Sequence, residues 1–483
     1  MFHICFCANE PYARYTATLI TSIIHSTDTF KQFGDFFNAV THTGGGNCDL
    51  DSSDLRDLRK CVDLDSSDSR HDLDLCDSDS CDSRHNSHLD SYLKRDYDSL
   101  NDDEKREGYI FHIISDFLSE DSRVRFAKLS KDLSAIYPCE ICIHICDDAL
   151  FSGLPRLNGN YLAYFRFFIP RLVPKKCAVC LYLDIDMLVV GDLRELFALD
   201  MGDKCVGVVK DKLNNTKKLR PKSENLKDIY FTGTYFNSGF LLLNLRAWEQ
   251  NRITERCFEV MANYHITLHD QDALNAVVAE SQRLELPYCF NLLVHSYSCA
   301  ICKGESMRYK FDFTRSAMNF ALKNPVILHY TTFYKAWNNA WIMNEKGRIL
   351  SEIWWEVALK TPQFADILQS EFERLNANGD KIYENRIAIY LLKCVKNPLG
   401  FFVLPFVVAK IFGKSEHLES REFNAESCDL HKLSPSNYNF AFELFYLCQK
   451  SWNKRKRGDL LILPLKAIKL KIRHNRYGIS RIS

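Results

Sequence analysis

The stretch "CLYLDIDMLVVGDLRELF", Cys180–Phe197, decides the fold. It reads at first as a buried strand, yet Asp184 and Asp186 stand one residue apart inside the apolar run. Burying an unpaired carboxylate is costly. We therefore expect the strand to end near Leu183 and to deliver both acids to the carboxyl edge of a sheet, where open α/β sheets bind ligands.

Strand-like and helical patterns alternate before this stretch. The strand-like runs are Phe2–Ala8, Gly108–Ser119 and Cys139–Cys146, and the helical patterns are Arg14–Ser26, Ser122–Ile136 and Tyr161–Pro174. This order predicts an α/β fold with a mostly parallel, doubly wound sheet flanked by helices, because parallel strands need long crossovers. Beyond the strand, Asp192 followed by Glu195 predicts a capping-box-like helix start, which gives Asp192 a structural role.

An Asp- and Ser-rich segment, residues 41–107, interrupts the pattern. Two short motifs recur in it with a period of 14 residues: DLDSSD at Asp49–Asp54 and Asp63–Asp68, and DSRH at Asp68–His71 and Asp82–His85. Residues 49–107 carry 19 acidic against 9 basic side chains. Calcium binding is the functional alternative, but the glycine and the terminal glutamate of the EF-hand are missing. We expect a disordered insertion with too few apolar residues to pack.

The 19 cysteines are expected to be reduced core residues. The N-terminus "MFHICFCANEPY" lacks the charged and apolar regions of a signal peptide, and no uncharged apolar run reaches the roughly 18 residues of a transmembrane helix. A structural zinc site is the alternative, because three Cys-x-x-Cys pairs occur: Cys139/Cys142, Cys177/Cys180 and Cys299/Cys302.

Asp-x-Asp alone is a weak signal, and the insertion contains several copies of it. Its position directly after an apolar strand is more informative. Two carboxylates at a sheet edge suit a divalent cation such as Mg²⁺ or Mn²⁺, which can bridge to phosphate oxygens.

Five segments in a fixed order carry a resemblance to a known family. They are the quoted stretch, YFRFFIPRLVP (Tyr164–Pro174), YFNSGFLLLNLRAW (Tyr235–Trp248), HDQDALN (His269–Asn275) and LHYTTFYKAW (Leu328–Trp337). Over residues 1–40 and 108–340 the chain resembles the family 8 glycosyltransferases, most of all the bacterial lipopolysaccharide galactosyl- and glucosyltransferases. The resemblance implies a GT-A type nucleotide-sugar-binding fold in residues 1–345. Residues 346–483 would form a helical C-terminal region.

The resemblance also implies a site for Mn²⁺, with Mg²⁺ as an alternative, and for UDP-galactose or UDP-glucose. Asp184, Asp186 and His329 would ligate the metal, which would hold the diphosphate, and Asp184 would also contact the ribose. Lys335 would meet the phosphates as a flexible point charge. Arg166 would contact the diphosphate or the donor sugar.

The residues around the sugar follow from the same resemblance. Asp270 and Gln271 are the expected catalytic residues, with Asp270 hydrogen-bonded to the donor sugar and Gln271 facing its anomeric carbon. The remaining nucleotide-sugar contacts that the resemblance implies are Ala8, Asn9, Tyr12, Ile185, Asp211, Asn237, Ser238, Gly239 and Thr332.

Two loops depart from the family pattern. Where the family usually has an Asp-Asp-Asn-Tyr type sequence, this chain has Asn9-Glu10-Pro11-Tyr12. Asn9 can still hydrogen-bond the uracil, but Pro11 removes a side-chain amide and a backbone donor. In the late segment Thr332 replaces the glycine that usually follows the histidine by three residues.

The implied mechanism is transfer with retention, from an α-linked donor to an α-linkage. Retaining glycosidases use a carboxylate nucleophile, and these segments offer no clear counterpart. Gln271 is a poor nucleophile. We therefore expect a front-side attack through an oxocarbenium-like state, in which the leaving diphosphate accepts the proton of the acceptor.

Alternatives remain open for the whole chain and for single residues. A nucleotidyltransferase would use the same acids but release pyrophosphate, and a catalytically silent, membrane-associated binding protein is a third possibility. The structural alternatives at single positions are a turn residue at Asn237, a core histidine at His329, a snorkelling side chain at Arg166 and a helix cap at Asp270.

The C-terminal region has a composition of its own. Gly400–Lys414 is strongly apolar but contains Pro405, and the last 33 residues interleave ten Lys or Arg with Leu and Ile against one acid. This pattern predicts a segment that lies on an anionic inner leaflet. We expect a cytoplasmic enzyme, peripherally associated with the inner membrane, that acts on a lipopolysaccharide-type acceptor. Nucleic acid explains the apolar content less well, and a packed helical appendage with a solvated basic face is the structural alternative.

Overall fold

The computed structural model describes residues 1–37, 88–156, 159–211, 218–231, 234–299, 313–331, 335–338, 342–377, 387–388, 390–395, 398–412, 434–454 and 458–477. Residues 41–87 of the predicted insertion, Thr332 and Cys302 lie outside these ranges.

The strands supply one large and two small sheets. In chain order they are Phe2–Cys7 (β1), Tyr109–Ser115 (β2), Cys139–Ile145 (β3), Val179–Leu183 (β4), Met187–Val189 (β5), Val206–Val208 (β6), Lys218–Pro221 (β7), Ile229–Tyr230 (β8), Phe240–Asn244 (β9), Tyr264–His265 (β10), Arg283–Glu285 (β11), Leu292–Leu293 (β12) and Ile327–His329 (β13).

The helices alternate with these strands and then form the C-terminal region. They are Ala13–His25 (α1), Asp102–Lys105 (α2), Glu120–Ser134 (α3), Ile169–Leu172 (α4), Arg194–Phe197 (α5), Leu245–Gln250 (α6), Ile253–Asn263 (α7), His269–Val277 (α8), Ser296–Cys299 (α9), Arg315–Lys323 (α10), Leu350–Ala358 (α11), Ala365–Ala377 (α12), Gly400–Phe412 (α13), Pro435–Asn453 (α14) and Leu463–Tyr477 (α15).

The central sheet has the strand order β11–β6–β9–β4–β1–β2–β3. β1 pairs in parallel with β2 and β4, whereas β9 runs antiparallel to both of its neighbours. The two faces of β1 enter different hydrophobic cores, one through Phe2, Ile4 and Phe6 and the other through Cys5 and Cys7. Such two-sided burial requires helices on both faces of the sheet. The predicted α/β fold with a mostly parallel sheet flanked by helices is confirmed.

A small sheet of order β12–β13–β5 brings a distant histidine to the end of β4. β5 begins directly after Asp186 and pairs antiparallel with β13, which places Met187 opposite His329. Tyr330 N also donates to the carbonyl of Asp186 at 2.8 Å. Because backbone pairing fixes this register, the side chain of His329 is held beside the Asp-x-Asp segment.

Tyr161–Pro174 is not the single helix that the sequence predicts. Leu162–Phe168 form a 3₁₀ helix, and the short helix α4 follows with Pro170 in its first turn. Proline has no N–H to donate to the carbonyl four residues earlier, so an α-helix cannot run unbroken through this point. It is tolerated in a first turn, where that N–H has no partner in any case.

Asp192 has a structural role, but not through the predicted capping box. Leu193 is the N-cap of α5, so the box with Glu195 was wrong. The Asp192 carboxylate instead accepts hydrogen bonds from Arg194 N at 2.9 Å and Asp28 N at 3.0 Å, and it pairs with the buried Arg194 guanidinium at 2.7 Å.

Residues 88–107 were wrongly assigned to the disordered insertion. Leu89 and Leu100 are buried in the main core, Lys94 forms a β-bridge with Leu199, and Asn101 caps α2 through a capping box. Leu and Tyr residues within this acidic stretch supply the packing that its average composition conceals. The remainder, 41–87, lies outside the described residues, and its state stays a prediction.

The C-terminal region is helical, as predicted, and shares a core with the sheet. Trp354 on α11 packs edge-on against Tyr15 on α1, with ring centroids 5.8 Å apart, and Asn439 on α14 accepts a hydrogen bond from Met343 N at 2.8 Å. Within the described ranges, every helix falls short of the length and hydropathy that crossing a bilayer requires.

Candidate functional site

Asp184 and Asp186 leave the sheet at the carboxyl end of β4, as predicted. β4 ends at Leu183, and Asp184 N donates to the carbonyl of Gly239 at 2.8 Å. The side chain of Asp184 is 31% exposed and that of Asp186 is 10% exposed. Both carboxylates line a cavity, which removes the apparent conflict between paired acids and an apolar strand.

Within the described ranges, one group of side chains has the spacing of a metal site. Asp184, Asp186 and His329 each offer one ligand atom within 4.8 Å of the other two, and we refer to these residues as the Asp–His cluster. Two carboxylates and an imidazole suit Mn²⁺ or Mg²⁺. No Cys-x-x-Cys pair forms a comparable group in those same ranges. The residues present therefore fit a divalent cation, and its identity stays a prediction.

Asp186 lies between two nitrogen donors. Its Oδ1 is 3.1 Å from His329 Nε2, and its Oδ2 forms an ion pair with Lys335 Nζ. Burial alone would raise the pKa of Asp186, but Lys335 and His329 together hold it well below its usual range. The carboxylate is therefore ionised, and the ammonium of Lys335 balances its charge.

Arg166 connects the Asp–His cluster to Asp270. Its Nη2 is 3.1 Å from Asp184 Oδ1, its Nη1 is 3.1 Å from Asp270 Oδ2, and it also donates to Ser238 O. The guanidinium stacks over the ring of Tyr182 at 4.3 Å, and Tyr182 Oη donates to Asp184 at 2.6 Å. Burial alone would lower the pKa of Arg166, yet the charges around it raise that pKa. With 5% of its side chain exposed, Arg166 does not snorkel, so that alternative was wrong.

Asp270 faces the cavity and does not cap α8. The N-cap of that helix is Leu268, which makes no side-chain capping bond. The Asp270 side chain is 6% exposed, and burial raises its pKa against the opposing effect of Arg166. The alternative reading of Asp270 as a helix cap is therefore wrong.

Asp272, two residues on, orders the turn that presents Asp270 and Gln271. Its Oδ2 accepts from Thr267 N and Leu268 N at 2.8 Å each, and its Oδ1 accepts from Tyr235 Oη at 2.7 Å. His269, which follows Leu268 in this turn, has a φ of 48°, which is unusual for a non-glycine residue. The second acid of "HDQD" thus has a structural role.

The predicted sugar pocket is a network of amides. Gln271 Oε1 accepts from Ser238 N at 3.1 Å and from Asn237 Nδ2 at 3.2 Å, and Gln271 Nε2 donates to Asp211 Oδ2 at 3.3 Å. Asn237 Oδ1 accepts from Gly239 N at 3.0 Å. Asn237 is therefore a network member and not only a turn residue. The structure brings these five predicted residues together.

The first loop is anchored from outside the cavity. Glu10 accepts hydrogen bonds from Ser119 N at 2.7 Å, Ser119 Oγ at 2.7 Å and Ser122 Oγ at 2.8 Å, at the start of α3. Pro11 lies in the first turn of a short 3₁₀ helix, where its missing N–H costs little. Asn9 Oδ1 is buried without a hydrogen-bond partner in the described ranges, and Asn9 is not among the residues that line the cavity.

The cavity has a volume of about 310 Å³. Of the other predicted contacts, Tyr12 and Ile185 line it, whereas Ala8 is fully buried and its N–H donates to Ile114 O. Lining residues that the sequence did not single out are Cys7, Asn160, Leu162, Ala163, Tyr182, Leu268, His269 and Trp337.

Asn291 is a site residue without any sequence signal. It precedes β12 and is 1% exposed, and its Oδ1 lies 2.7 Å from His329 Nδ1. Its sequence context, "PYCFNLL", resembles an ordinary buried turn. Only the pairing of β12 with β13 shows that the two residues meet.

The fold and the site define a class: an α/β protein whose acidic cluster fits a divalent cation and lies with basic side chains at the carboxyl edge of the sheet, where open α/β sheets bind ligands. A model of the family described as glycosyl transferase family 8 matches residues 3–340, and the chain belongs to that family. The resemblance read from the sequence is confirmed, and the mostly parallel sheet with flanking helices agrees with the architecture that it implied.

Similar proteins were found in two further comparisons. The chain is 28% identical over 249 residues to the lipopolysaccharide 1,2-glucosyltransferase of Escherichia coli, a match that covers 50% of this chain and 68% of that protein. It is 29% identical over 178 residues to the lipopolysaccharide 1,3-galactosyltransferase of Salmonella typhimurium, covering 36% and 51% respectively. Among solved structures, the galactosyltransferase LgtC with donor and acceptor sugar analogs matches with a TM-score of 0.44 and 18% identity, covering 74% of this chain and 96% of that chain.

Proposed function

We propose that this protein is a retaining glycosyltransferase that moves galactose or glucose from a UDP-sugar onto a lipopolysaccharide-type acceptor. The observation that carries the proposal is the Asp–His cluster, which opens into a cavity lined by Arg166 and Lys335 in a chain of family 8. Two of its relatives are named as lipopolysaccharide glucosyl- and galactosyltransferases, which supports a hexose donor and a glycan acceptor.

Asp184, Asp186 and His329 would hold Mn²⁺ or Mg²⁺. When bound, such a cation stabilises the negative charge that the leaving diphosphate gains. Lys335 now pairs with Asp186, so it would move from the carboxylate to a phosphate when the cation and the nucleotide bind. Arg166 remains fixed by two carboxylates, which makes it a rigid positive group beside the donor.

The donor sugar would lie against Asp270, Gln271 and Asn237. Gln271 Oε1 already accepts two hydrogen bonds, so its lone pairs are engaged and it is poorly suited to act as a nucleophile. Asp270 is paired with Arg166, which suits hydrogen bonding to sugar hydroxyls. This arrangement supports front-side attack. A glycosyl-enzyme trapped covalently on Asp270 would contradict it.

The decisive test is a UDP-release assay across UDP-hexoses with Mn²⁺, applied to the wild type and to Asp186→Ala. We expect release from UDP-galactose or UDP-glucose by the wild type alone, and loss of that release in excess chelator. Pyrophosphate release from a nucleoside triphosphate would identify a nucleotidyltransferase. A wild type that hydrolyses no UDP-hexose would favour a silent binding protein, and turnover that persists in chelator would refute the metal assignment.

The C-terminal helices support the proposal of a membrane-surface protein. α13 and the loop before it expose Leu399, Phe402, Val403 and Phe406, with Phe406 75% exposed. α15, which packs against α13, exposes Leu465, Lys469 and Ile472 at spacings of four and three residues, which lie on one helix face. Apolar side chains interleaved with a cation suit the headgroup region of an anionic bilayer.

Vesicle sedimentation tests this surface. We expect the full chain to sediment with phosphatidylglycerol-rich vesicles and much less with neutral ones, and the double variant Phe402→Asp/Phe406→Asp to stay in the supernatant. Phe30→Asp is the matched control, because Phe30 is 89% exposed elsewhere on the surface. Equal sedimentation of the double variant and the wild type would refute the proposal, and so would a wild type that never sediments.

A further inference from the structure

Asn291 lies between the Asp–His cluster and the sugar pocket, and its amide touches both. Its Oδ1 is 2.7 Å from His329 Nδ1, and its Nδ2 donates to Asn237 Oδ1 at 3.0 Å. Asn291 and His329 are each almost fully buried. A buried amide that has a partner at both ends is sensitive to substitution, because removing one partner leaves the other without a hydrogen bond.

A backbone N–H sets the orientation of the Asn237 amide, and the orientation of the Asn291 amide follows from it. Gly239 N donates to Asn237 Oδ1 at 3.0 Å, so the oxygen of the Asn237 amide must face that position. The Asn291 side chain must then present its NH₂ to Asn237, because two carbonyl oxygens would repel each other. The carbonyl of Asn291 is thereby directed at His329.

The protonation of His329 Nδ1 follows from the same constraint. A carbonyl oxygen can only accept, so His329 Nδ1 carries the hydrogen that faces Asn291. The other nitrogen, Nε2, lies 3.1 Å from Asp186 Oδ1 on the side of both carboxylates, and a bound cation would replace that hydrogen bond and take the Nε2 lone pair. Metal-bound histidines commonly donate their second N–H to such a partner, which fixes the tautomer and the ring orientation.

We propose that Asn291 is a positioning residue that fixes His329 for the metal and ties the metal site to the sugar pocket through Asn237. The inference rests on the proposed function, because it assumes that the Asp–His cluster binds a divalent cation beside a donor sugar. It assigns a second role to Gly239: its N–H starts the chain of amides that determines which nitrogen of His329 faces the metal.

Two substitutions distinguish the contact of the Asn291 amide with His329 from its contact with Asn237. Asn291→Ala removes both contacts, so the Mn²⁺ affinity should fall about 10- to 100-fold, as is typical when the partner of a metal-bound histidine is lost. Asn291→Asp keeps an acceptor for His329 but places a carboxylate oxygen against Asn237. That variant should keep its Mn²⁺ affinity within a few-fold while its KM for the UDP-sugar rises.

Asn439→Ala is the matched control. Asn439 is also a fully buried amide, and it bonds Met343 N at 2.8 Å, Met343 O at 3.0 Å and Tyr297 O at 3.3 Å, away from the Asp–His cluster. Its loss should lower the melting temperature without changing the Mn²⁺ affinity. A change in Mn²⁺ affinity that is common to both alanine variants would mean that Asn291 acts only through stability, which would overturn the inference.

The experiment has two readouts on the full chain. Mn²⁺ binding is followed by the EPR signal of free Mn²⁺ without nucleotide, and the tautomer of His329 is read from ¹⁵N shifts of histidine-labelled protein. With diamagnetic Mg²⁺ bound, we expect the Nδ1–H form of His329 in the wild type and a mixture of tautomers in Asn291→Ala. Unchanged tautomer and affinity in Asn291→Ala would overturn the inference alone. A wild type that binds no Mn²⁺ and releases no UDP would refute the proposed function, and the inference with it.

Discussion

Replacing Gly239 with alanine tests the Asp–His cluster directly, because the position has no room for a methyl group. A Cβ there would lie 2.7 Å from Asp184 Oδ2, 2.7 Å from His329 Cε1 and 2.9 Å from Asn237 Oδ1. Cβ contacts under 3.0 Å essentially never occur and ordinary ones begin at 3.4 Å, so the Asp184 carboxylate and the His329 ring must each move by about 0.3–0.7 Å. Tyr182 holds the first and Asn291 holds the second, so neither can move without losing a hydrogen bond.

The size of the effect follows from the tolerance of a metal site. Ligand distances vary by only about 0.2 Å in well-formed sites, which is less than the displacement that the methyl group forces on two of the three ligands. We expect Gly239→Ala to weaken Mn²⁺ binding by at least about tenfold and to lower kcat/KM for the UDP-sugar by about 100-fold. The protein should still fold, with a loss of about 1–3 kcal/mol in the free energy of unfolding from overpacking.

Titration calorimetry with Mn²⁺, UDP-release kinetics and urea unfolding measure the three quantities separately. Gly34→Ala is the control, because a Cβ there would meet the Tyr97 ring at an ordinary 3.5 Å. It should leave all three unchanged. If Gly239→Ala binds Mn²⁺ as tightly as the wild type while remaining folded, the metal does not bind where Asp184 and His329 meet, and the reasoning fails.

Three further outcomes follow from single contacts. Lys335→Met should tighten Mn²⁺ binding in the absence of nucleotide, because it removes the ammonium paired with Asp186, and it should raise the KM for the donor. Calorimetry with and without UDP measures the Mn²⁺ affinity, and Lys335→Arg, which keeps the positive charge, is the control. Burial lowers the pKa of His3 to about 4 and that of His112 to about 3. Below about pH 6.5 the unfolded chain therefore binds more protons than the folded one, so the free energy of unfolding should fall by about 2 kcal/mol per histidine from pH 7 to pH 5. The urea midpoints of the wild type should fall more steeply with decreasing pH than those of His112→Leu. Parallel plots of the two midpoints against pH would contradict this. Asp272→Ala should lower kcat more than it raises KM, because two backbone N–H groups of the turn before α8 lose their shared acceptor, and steady-state kinetics showing no change would refute that role.

Local sequence patterns were sufficient to predict the parts of the site that belong to the sheet. An apolar run followed by two acids cannot remain a buried strand, so the end of β4 at Leu183 and the exposure of Asp184 could be derived from the cost of burying charge. Strand and helix alternation likewise predicted the parallel sheet, since parallel strands need crossovers. The position of the two acids at the carboxyl edge of the sheet therefore follows from the direction of the strand alone.

Two partners that orient those residues were not predicted, one because it comes from a distant segment and the other because it was taken for a packing residue. Asn291 meets His329 only through the pairing of β12 with β13, and Tyr182 bonds Asp184 from the same strand that the sequence assigned to packing. The sequence shows Pro170, near which the helix breaks, but it gives no sign that Leu162–Phe168 adopt 3₁₀ geometry.

The first loop shows how the chain accommodates a departure from the family pattern. Pro11 lacks an amide that the pattern usually supplies, but Glu10 binds the start of α3 through three hydrogen bonds, so the loop is fixed from outside the cavity. Within the described residues, the buried Oδ1 of Asn9 beside that anchor has no hydrogen-bond partner. A loop ordered by Glu10 needs no ligand to order it, so the entropic cost of donor binding there is lower than in a loop that orders on binding. The altered sequence therefore changes how the loop is anchored more than which hydrogen-bonding groups it presents to a nucleobase.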